Sequence, residues 1–308
     1  MSNPIAQFLC KFLARRLNTL SRFRSKHHRS PTAYGIYNSD GSIRQDFNHC
    51  DRLFKEAEDE IADFAFLRGM LAVSSTILDL GCGNGGKTVF YAHYFGCEVA
   101  GVDISQDVID IATQFKATRY PGSKATFQKT DGEIAAAPNS YDVVFMNDVM
   151  EHVEDPSGIL EACYRVLKRG GYVCINFNSY WSAAGDHLSD WIPIPWAHVV
   201  FSEKTLVRVL RDMSRSDRYI AFQFPNINKK PPVERFNDLG TSRLNYMTLS
   251  RFNRIIQDSK FTIEKLELKG YGERSRNRVL KWILATLKDV PLLKELFGGR
   301  VVCILRKV

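Results

Sequence analysis

In Ile77-Leu78-Asp79-Leu80-Gly81-Cys82-Gly83-Asn84-Gly85-Gly86 a short apolar run passes directly into a cluster of glycines. Thr76–Leu80 has the length and composition of a buried strand, and the residues from Lys87 to Phe95 have the spacing of a helix. Glycine at such a junction lets the backbone take positive φ and come close to a ligand. A helix that opens there presents unpaired N–H groups.

Outward from this junction the chain keeps one rhythm. Strands are predicted over Glu98–Asp103, Ala125–Thr130, Tyr141–Asn147 and Tyr172–Phe177, with helices near Gln106–Phe115 and Pro156–Leu167 between them. Asp155-Pro156 is a cap followed by a first-turn proline, and Gly170-Gly171 is a stop. Strand alternating with helix predicts a parallel sheet covered on both faces. Upstream, Leu53, Phe54, Ala57, Ile61, Phe64 and Leu67 recur every three or four residues and predict an amphipathic helix over 51–70.

After Phe177 the rhythm breaks for about 70 residues, longer than an ordinary connection. This stretch holds Trp181, Trp191 and Trp196, and a helix over Glu203–Met213 with Ser202 as its cap. A helix opening at Thr248, strands over Phe261–Leu268 and Val301–Leu305, and a basic segment with a helix around Arg278–Lys288 complete the pattern. The expected fold is α/β, a doubly wound, Rossmann-like sheet with an aromatic-rich insertion before its last two strands. Residues 1–45 are expected to form a basic arm, and 46–308 one domain with the insertion at about 178–247.

Gly81, Gly83 and Gly86 satisfy the GxGxxG spacing of dinucleotide-binding loops. Two features count against NAD or FAD. Asp79 stands where a pyrophosphate would be repelled, whereas a cationic ligand would be attracted. A long helical stretch also precedes the strand. At this point Asp79-Leu80-Gly81-Cys82-Gly83-Asn84-Gly85 resembles the first motif of the class I S-adenosylmethionine-dependent methyltransferases. Val102-Asp103-Ile104-Ser105 resembles their second, Thr130-Asp131-Gly132 their adenine-contacting turn, and Leu167-Lys168-Arg169-Gly170-Gly171-Tyr172 the turn into the fifth strand. The segment Tyr141-Asp142-Val143-Val144-Phe145-Met146-Asn147-Asp148-Val149-Met150-Glu151-His152-Val153 is similar to the fourth motif of ubiquinone-type small-molecule methyltransferases.

The resemblance covers about residues 74–178 with the motifs in order, and it implies a seven-stranded sheet with the ligand at the carboxyl ends of the strands. It implies S-adenosyl-L-methionine as cofactor, held by Asp79, Gly81, Cys82, Gly83, Asp103, Ile104, Asp131, Gly132 and Asn147. Asp103 is assigned the ribose hydroxyls, as an acid about 20 residues past the loop is in other adenine-nucleotide folds.

Methyl transfer is an in-line displacement in which the sulfonium is already a good leaving group, so the protein has to align the acceptor and exclude water. A hydroxyl acceptor also needs a base. The candidates are His152, just after the fourth strand, and His187, Asp186 and His198 in the insertion. Each has a plain alternative as a packed or capping residue. Trp and Tyr beside polar groups suit an acceptor pocket with flat apolar walls. The run from Gly185 to His198 is similar to methyltransferases of bacterial surface-polysaccharide pathways. The expected reaction is methylation of a small-molecule hydroxyl, on a glycan or lipid-linked sugar. The alternatives are a ubiquinone-like phenol as acceptor and a cofactor-binding protein without turnover.

Of the 308 residues, 42 are Lys or Arg and 34 are Asp or Glu, a net charge of +8. Residues 1–39 carry 7 basic residues and no acid, and 269–308 carry 10 against 3, which leaves 25 against 31 in the middle. The basic ends are suited to an anionic partner such as a phospholipid surface. The acidic middle and the absence of an Asn-Pro-Pro-Tyr-like sequence weigh against nucleic acid. The seven cysteines form no CxxC pair and no metal-ligand spacing, so no metal is expected and a reduced, cytoplasmic compartment fits. The arm before Asp40 is open to two readings, an interfacial helix at a membrane surface or an organelle transit peptide.

Overall fold

The structure, a computed structural model, describes residues 3–24, 47–187, 192, 194–214, 244–270, 286–287, 290 and 293–308. The chain divides into two compact units, one of residues 36–177, 250–267 and 301–308, the other of residues 1–35, 178–249 and 268–300.

The first unit is built on the sheet. Its strands β1 (Thr76–Leu80), β2 (Glu98–Asp103), β3 (Ala125–Lys129), β4 (Tyr141–Asn147) and β5 (Leu167–Asn178) are joined by β6 (Thr262–Gly270) and β7 (Gly298–Arg306) in the order β3-β2-β1-β4-β5-β7-β6. Strands β1 to β5 pair in parallel, with Asp79 level with Gly101 on one side and Phe145 on the other. Strand β7 runs the other way: the Gly170 amide donates to the Lys307 carbonyl near one end, and the Ser179 amide to the Gly299 carbonyl at the other. The expected α/β doubly wound sheet is therefore present, with a reversed strand inserted before its edge.

Strands β1, β2 and β4 match their predicted bounds to the residue; β1 and β4 are apolar runs buried over most of their length. Strand β5 starts five residues earlier than expected, at Leu167, with a register irregularity opposite Tyr141 and Val143. Helices α2 (Asn48–Glu60), α3 (Gly86–Phe95), α4 (Gln106–Arg119) and α5 (Pro156–Val166) cover the sheet. In α5 the Asp155 carboxylate accepts from the Ser157 and Gly158 amides, the predicted cap. The helix predicted over 51–70 ends at Glu60 and continues as a 3-10 segment, Ile61–Gly69. Its buried residues Ile61, Phe64 and Leu67 fall every third position, which suits a helix of three residues per turn better than one of 3.6.

The second unit contains α1 (Pro4–Arg24), α6 (Ala197–Val200), α7 (Glu203–Ser214), the first residue of α8 (Leu249–Gln257) and α9 (Lys294–Phe297). Cys10 and Ala14 of α1 are fully buried with Ala197, Phe201, Leu206, Val209 and Leu210, so the helix of the basic arm shares one small core with the insertion. Glu295 ties this unit's connections together, accepting from the Ser179 hydroxyl and the Leu249 amide. The helix predicted around 278–288 falls, but for residues 286 and 287, outside the described residues, as do Trp191 and Pro193. Among the described residues, no helix is long and apolar enough to cross a membrane.

Candidate cofactor and acceptor sites

The glycine loop after β1 is held from below and opens above. Gly81 and Cys82 donate their amides to the Val102 carbonyl, at 2.8 and 3.0 Å, which pins the loop to the end of β2. Gly81 has φ of +74°, and a Cβ there would stand 2.4 Å from Val149 Cγ2. Gly83 has φ of +50° and no atom within 4 Å of the place a Cβ would take. At Gly83 the missing side chain therefore leaves open space in which a ligand can approach the backbone.

Asp103, at the end of β2, fastens this opening. Its Oδ2 accepts the Gly83 amide and its Oδ1 the Ser105 amide, both at 3.0 Å. Two charge-assisted bonds fix the carboxylate while each oxygen keeps a lone pair for a further donor. Ile104 beside it is 69% exposed. Across the sheet end, Gly132 has φ of +98° over open space, and the exposed Asp131 carboxylate pairs with Lys129 at 3.0 Å. An acid that accepts from hydroxyls, an apolar side chain and an open glycine turn are what a ribose and an adenine need, so these residues fit S-adenosylmethionine.

Asp79 lies beneath the loop, near the end of β1. Its carboxyl is almost completely buried and accepts from the Thr88 hydroxyl at 2.6 Å. Burial pushes it up to about 6, against the opposing effects of Thr88 and Lys87. The Cys82 thiol is held well above its ordinary value by burial, with Asp79 and Asp103 adding to the effect. Cys82 thus stays a neutral packing group in the loop. Asn147, at the end of β4, donates to the Tyr91 hydroxyl at 3.0 Å and accepts from Asn176 at 2.5 Å, a polar rung across the carboxyl end of the sheet.

An ion network with a buried Lys87–Glu60 pair lies beneath, and no pattern in the sequence points to it. Lys87, in the first turn of α3, reaches Glu60 at the end of α2 at 3.0 Å and Asp148 after β4 at 3.4 Å. Asp148 has φ of +53°, and its amide donates to the Asn176 carbonyl. Three segments remote in sequence are drawn together by one cation, which periodicity cannot reveal because none of the three breaks an apolar pattern.

In the other unit, the imidazole that Asp186 meets is His198: Nδ1 lies 3.2 Å from the Asp186 carboxylate, and both side chains are more than 90% buried. The His198 ring lies 5.0 Å from that of Tyr180 and near parallel to Trp181 at 6.3 Å, and Tyr180 also meets Tyr246 edge-on at 4.9 Å. Both ring nitrogens of His198 are buried and neither has a partner of hydrogen-bond geometry among the described residues. Burial raises the Tyr180 phenol above its ordinary value, and Tyr246, Asp186 and Glu203 add to this. Trp196 takes φ of +57° and donates its indole N–H to the Leu296 carbonyl at 2.9 Å. His187 also has positive φ, +54°, in the turn that carries Asp186. His152 lies exposed in the turn after β4, its amide bonded to the Val149 carbonyl.

The sheet order, with five parallel strands and a reversed β7 before the edge, is the Rossmann-like fold of class I methyltransferases. Residues 78–175 match the family model described as "Methyltransferase domain". The chain is similar to the ubiquinone biosynthesis O-methyltransferase of Leptothrix cholodnii, 33% identical over 102 residues that make up 32% of this chain and 43% of that protein. It is also similar to that of Paraburkholderia xenovorans, 35% identical over 100 residues, 32% and 42% of the two chains. The matched segment spans about two-fifths of these curated relatives. Among solved structures, a geranyl diphosphate methyltransferase in complex with SAM shares the fold at 15% identity and a TM-score of 0.50, covering 92% of this chain and all of that one.

Proposed function

We propose that this protein is an S-adenosylmethionine-dependent methyltransferase that methylates a hydroxyl of a small molecule, a glycan or lipid-linked sugar. The observation that carries the cofactor reading is Asp103, fixed by two amides beside the open backbone of Gly83. Asp103 would receive the ribose hydroxyls, and Ile104, Asp131 and Gly132 would hold the adenine. The charge on Asp79, behind the loop with Gly81 and Cys82, favours a cationic ligand, and Asn147 closes the far side. When bound, the cofactor supplies a methyl group on a sulfonium.

His198 is the proposed base. Its imidazole would take up the acceptor's hydroxyl proton while Asp186, 3.2 Å away, stabilises the imidazolium that results. The deprotonated acceptor oxygen would be the nucleophile for the methyl group that the bound cofactor would supply. Tyr180 and Trp181 offer flat faces to a sugar or an aromatic ring. His187 and His152 are the other candidate bases. A phenolic acceptor is the second reading, favoured by the name of the curated relatives. The enzyme is proposed to work in the cytoplasm at an anionic membrane surface; of the two basic ends, the 274–281 stretch lies outside the described residues.

The test is release of S-adenosylhomocysteine with panels of glycan and phenol acceptors, on the wild type and on His198→Gln, His187→Gln and His152→Gln. His198→Gln is expected to keep cofactor binding and lose about 10²- to 10⁴-fold in kcat. Full activity in His198→Gln would move the base to another histidine. Cofactor binding with no methylated product from any hydroxyl acceptor would leave only the non-catalytic reading.

A further inference from the structure

Lys87 meets two acids of very different burial. It lies 3.0 Å from Glu60, and these two side chains are 10% and 5% exposed, whereas Asp148, 3.4 Å from the same Nζ, is 43% exposed. Glu60 already balances the Lys87 charge in a place that water hardly reaches, so a second acid that faces solvent adds little to that balance. What the second contact fixes is the position of Asp148.

That position is a demanding one. The φ of +53° at Asp148 lies in the left-handed region, which a residue with a Cβ enters at a cost and keeps when its surroundings hold it there. Among its contacts are the amide bond to the Asn176 carbonyl at 2.8 Å and the pair with Lys87. Asn147, just before it, belongs to the polar rung at the end of the sheet. Val149, just after it, lies against the first glycine of the loop, since a Cβ on Gly81 would stand 2.4 Å from Val149 Cγ2. Met150 is then fully buried. The left-handed step at Asp148 therefore turns the chain from the end of β4 onto the glycine loop.

We propose that Lys87 is a positioning residue of the cofactor site: its pair with Asp148 holds the left-handed turn that seats Val149 on Gly81, and so keeps the loop in the form in which Gly83 and Asp103 receive S-adenosylmethionine. Released from Lys87, Asp148 relaxes toward negative φ, Val149 moves off Gly81, and the loop loses its support on that side. The proposal rests on the cofactor reading above and adds to it a side chain that acts through another.

The test is the Kd for S-adenosylhomocysteine by isothermal titration calorimetry, with urea unfolding of the same proteins to show that each is folded. Lys87→Met/Glu60→Gln removes the cation together with the buried charge it would leave behind. This variant is expected to bind about five- to thirty-fold more weakly, the cost of one left-handed residue that has lost its holder. Adding Asp148→Gly, which takes positive φ freely, is expected to bring Kd back to within about three-fold of the wild type. Asp148→Ala and Asp148→Gly in the wild-type background repeat the comparison with the Lys87–Glu60 pair in place; Ala is expected to weaken binding by the same factor and Gly to preserve it. A lysine that only stabilises the fold would give Lys87→Met/Glu60→Gln the wild-type Kd, and that result would overturn the proposal. So would a loss that Asp148→Gly leaves unrepaired, or equal binding by Asp148→Ala and Asp148→Gly. A wild type that binds neither S-adenosylhomocysteine nor S-adenosylmethionine would bring down the cofactor reading and this one with it, whereas tight binding that is indifferent to Lys87 would bring down this one alone.

Discussion

Replacing Asp103 with Ala removes one carboxylate and two of its bonds at once. The acceptors for the Gly83 and Ser105 amides, each at 3.0 Å, disappear, and with them the two lone pairs assigned to the ribose. A hydrogen bond to a charged group contributes about 1.5–3 kcal/mol, so losing two to the ribose weakens cofactor binding by at least about 3 kcal/mol, roughly 150-fold. With S-adenosylmethionine at 100 times the wild-type Kd, the wild type gains about 2.7 kcal/mol of stability and the variant only about 0.3 kcal/mol. For a chain of this size that is a rise in Tm of about 5 °C against less than about 1 °C. Differential scanning fluorimetry with S-adenosylmethionine, S-adenosylhomocysteine and NAD reads the difference directly. An equal shift in both proteins would remove Asp103 from the cofactor site, and a shift with NAD alone would overturn the cofactor assignment.

The raised Asp79 carboxyl makes stability depend on pH. Its folded value, about 6, lies above its ordinary 3.8, so between these the native state binds more protons than the unfolded one, and stability falls as pH rises from about 4 to 6. The loss amounts to about 3 kcal/mol and should vanish in Asp79→Asn, with urea denaturation at pH 4.5, 5.5 and 7 as the measurement; the same slope in the variant would refute the reasoning. Lys87→Met leaves Glu60 buried without its 3.0 Å partner and should cost about 3–5 kcal/mol in denaturant unfolding. Glu60→Gln added to it should recover much of that loss, and a Lys87→Met protein as stable as the wild type would show that the network carries no weight.

Much of the sheet was legible because the relevant physics is local. Thr76–Leu80 and Tyr141–Asn147 are apolar runs ended by turn residues, and no distant contact is needed to see them. The loop residues Gly83 and Asp103 were legible for a similar reason: positive φ and a strand-end acid are requirements of one junction. The start of β5 was missed because Gly170-Gly171 reads as a stop. In the structure it is accommodated inside the strand, where a Cβ on Gly171 would stand 2.7 Å from the Asp142 carbonyl. The partner of Asp186 was not legible, since sequence offers the neighbouring His187, while the turn that gives His187 positive φ brings Asp186 to His198. The burial of one face of α1 was hidden as well: Cys10 and Ala14 are too small to stand out among Phe8, Leu9 and Phe12, yet small residues are what allow α7 to approach.

The place of β7 has a consequence for how the molecule is made. Residues 298–306 lie between β5 and β6 in the sheet, although both neighbours precede them in the chain. Until that segment leaves the ribosome, β5 has an open edge of unpaired amides and carbonyls, and β6 has no strand to join. Synthesis therefore passes through a stage in which the parallel half of the sheet can form while its border stays adhesive, the condition under which nascent chains pair with one another. The last strand made closes the sheet as a wedge, and a chain stopped short of residue 298 keeps the sticky border for good.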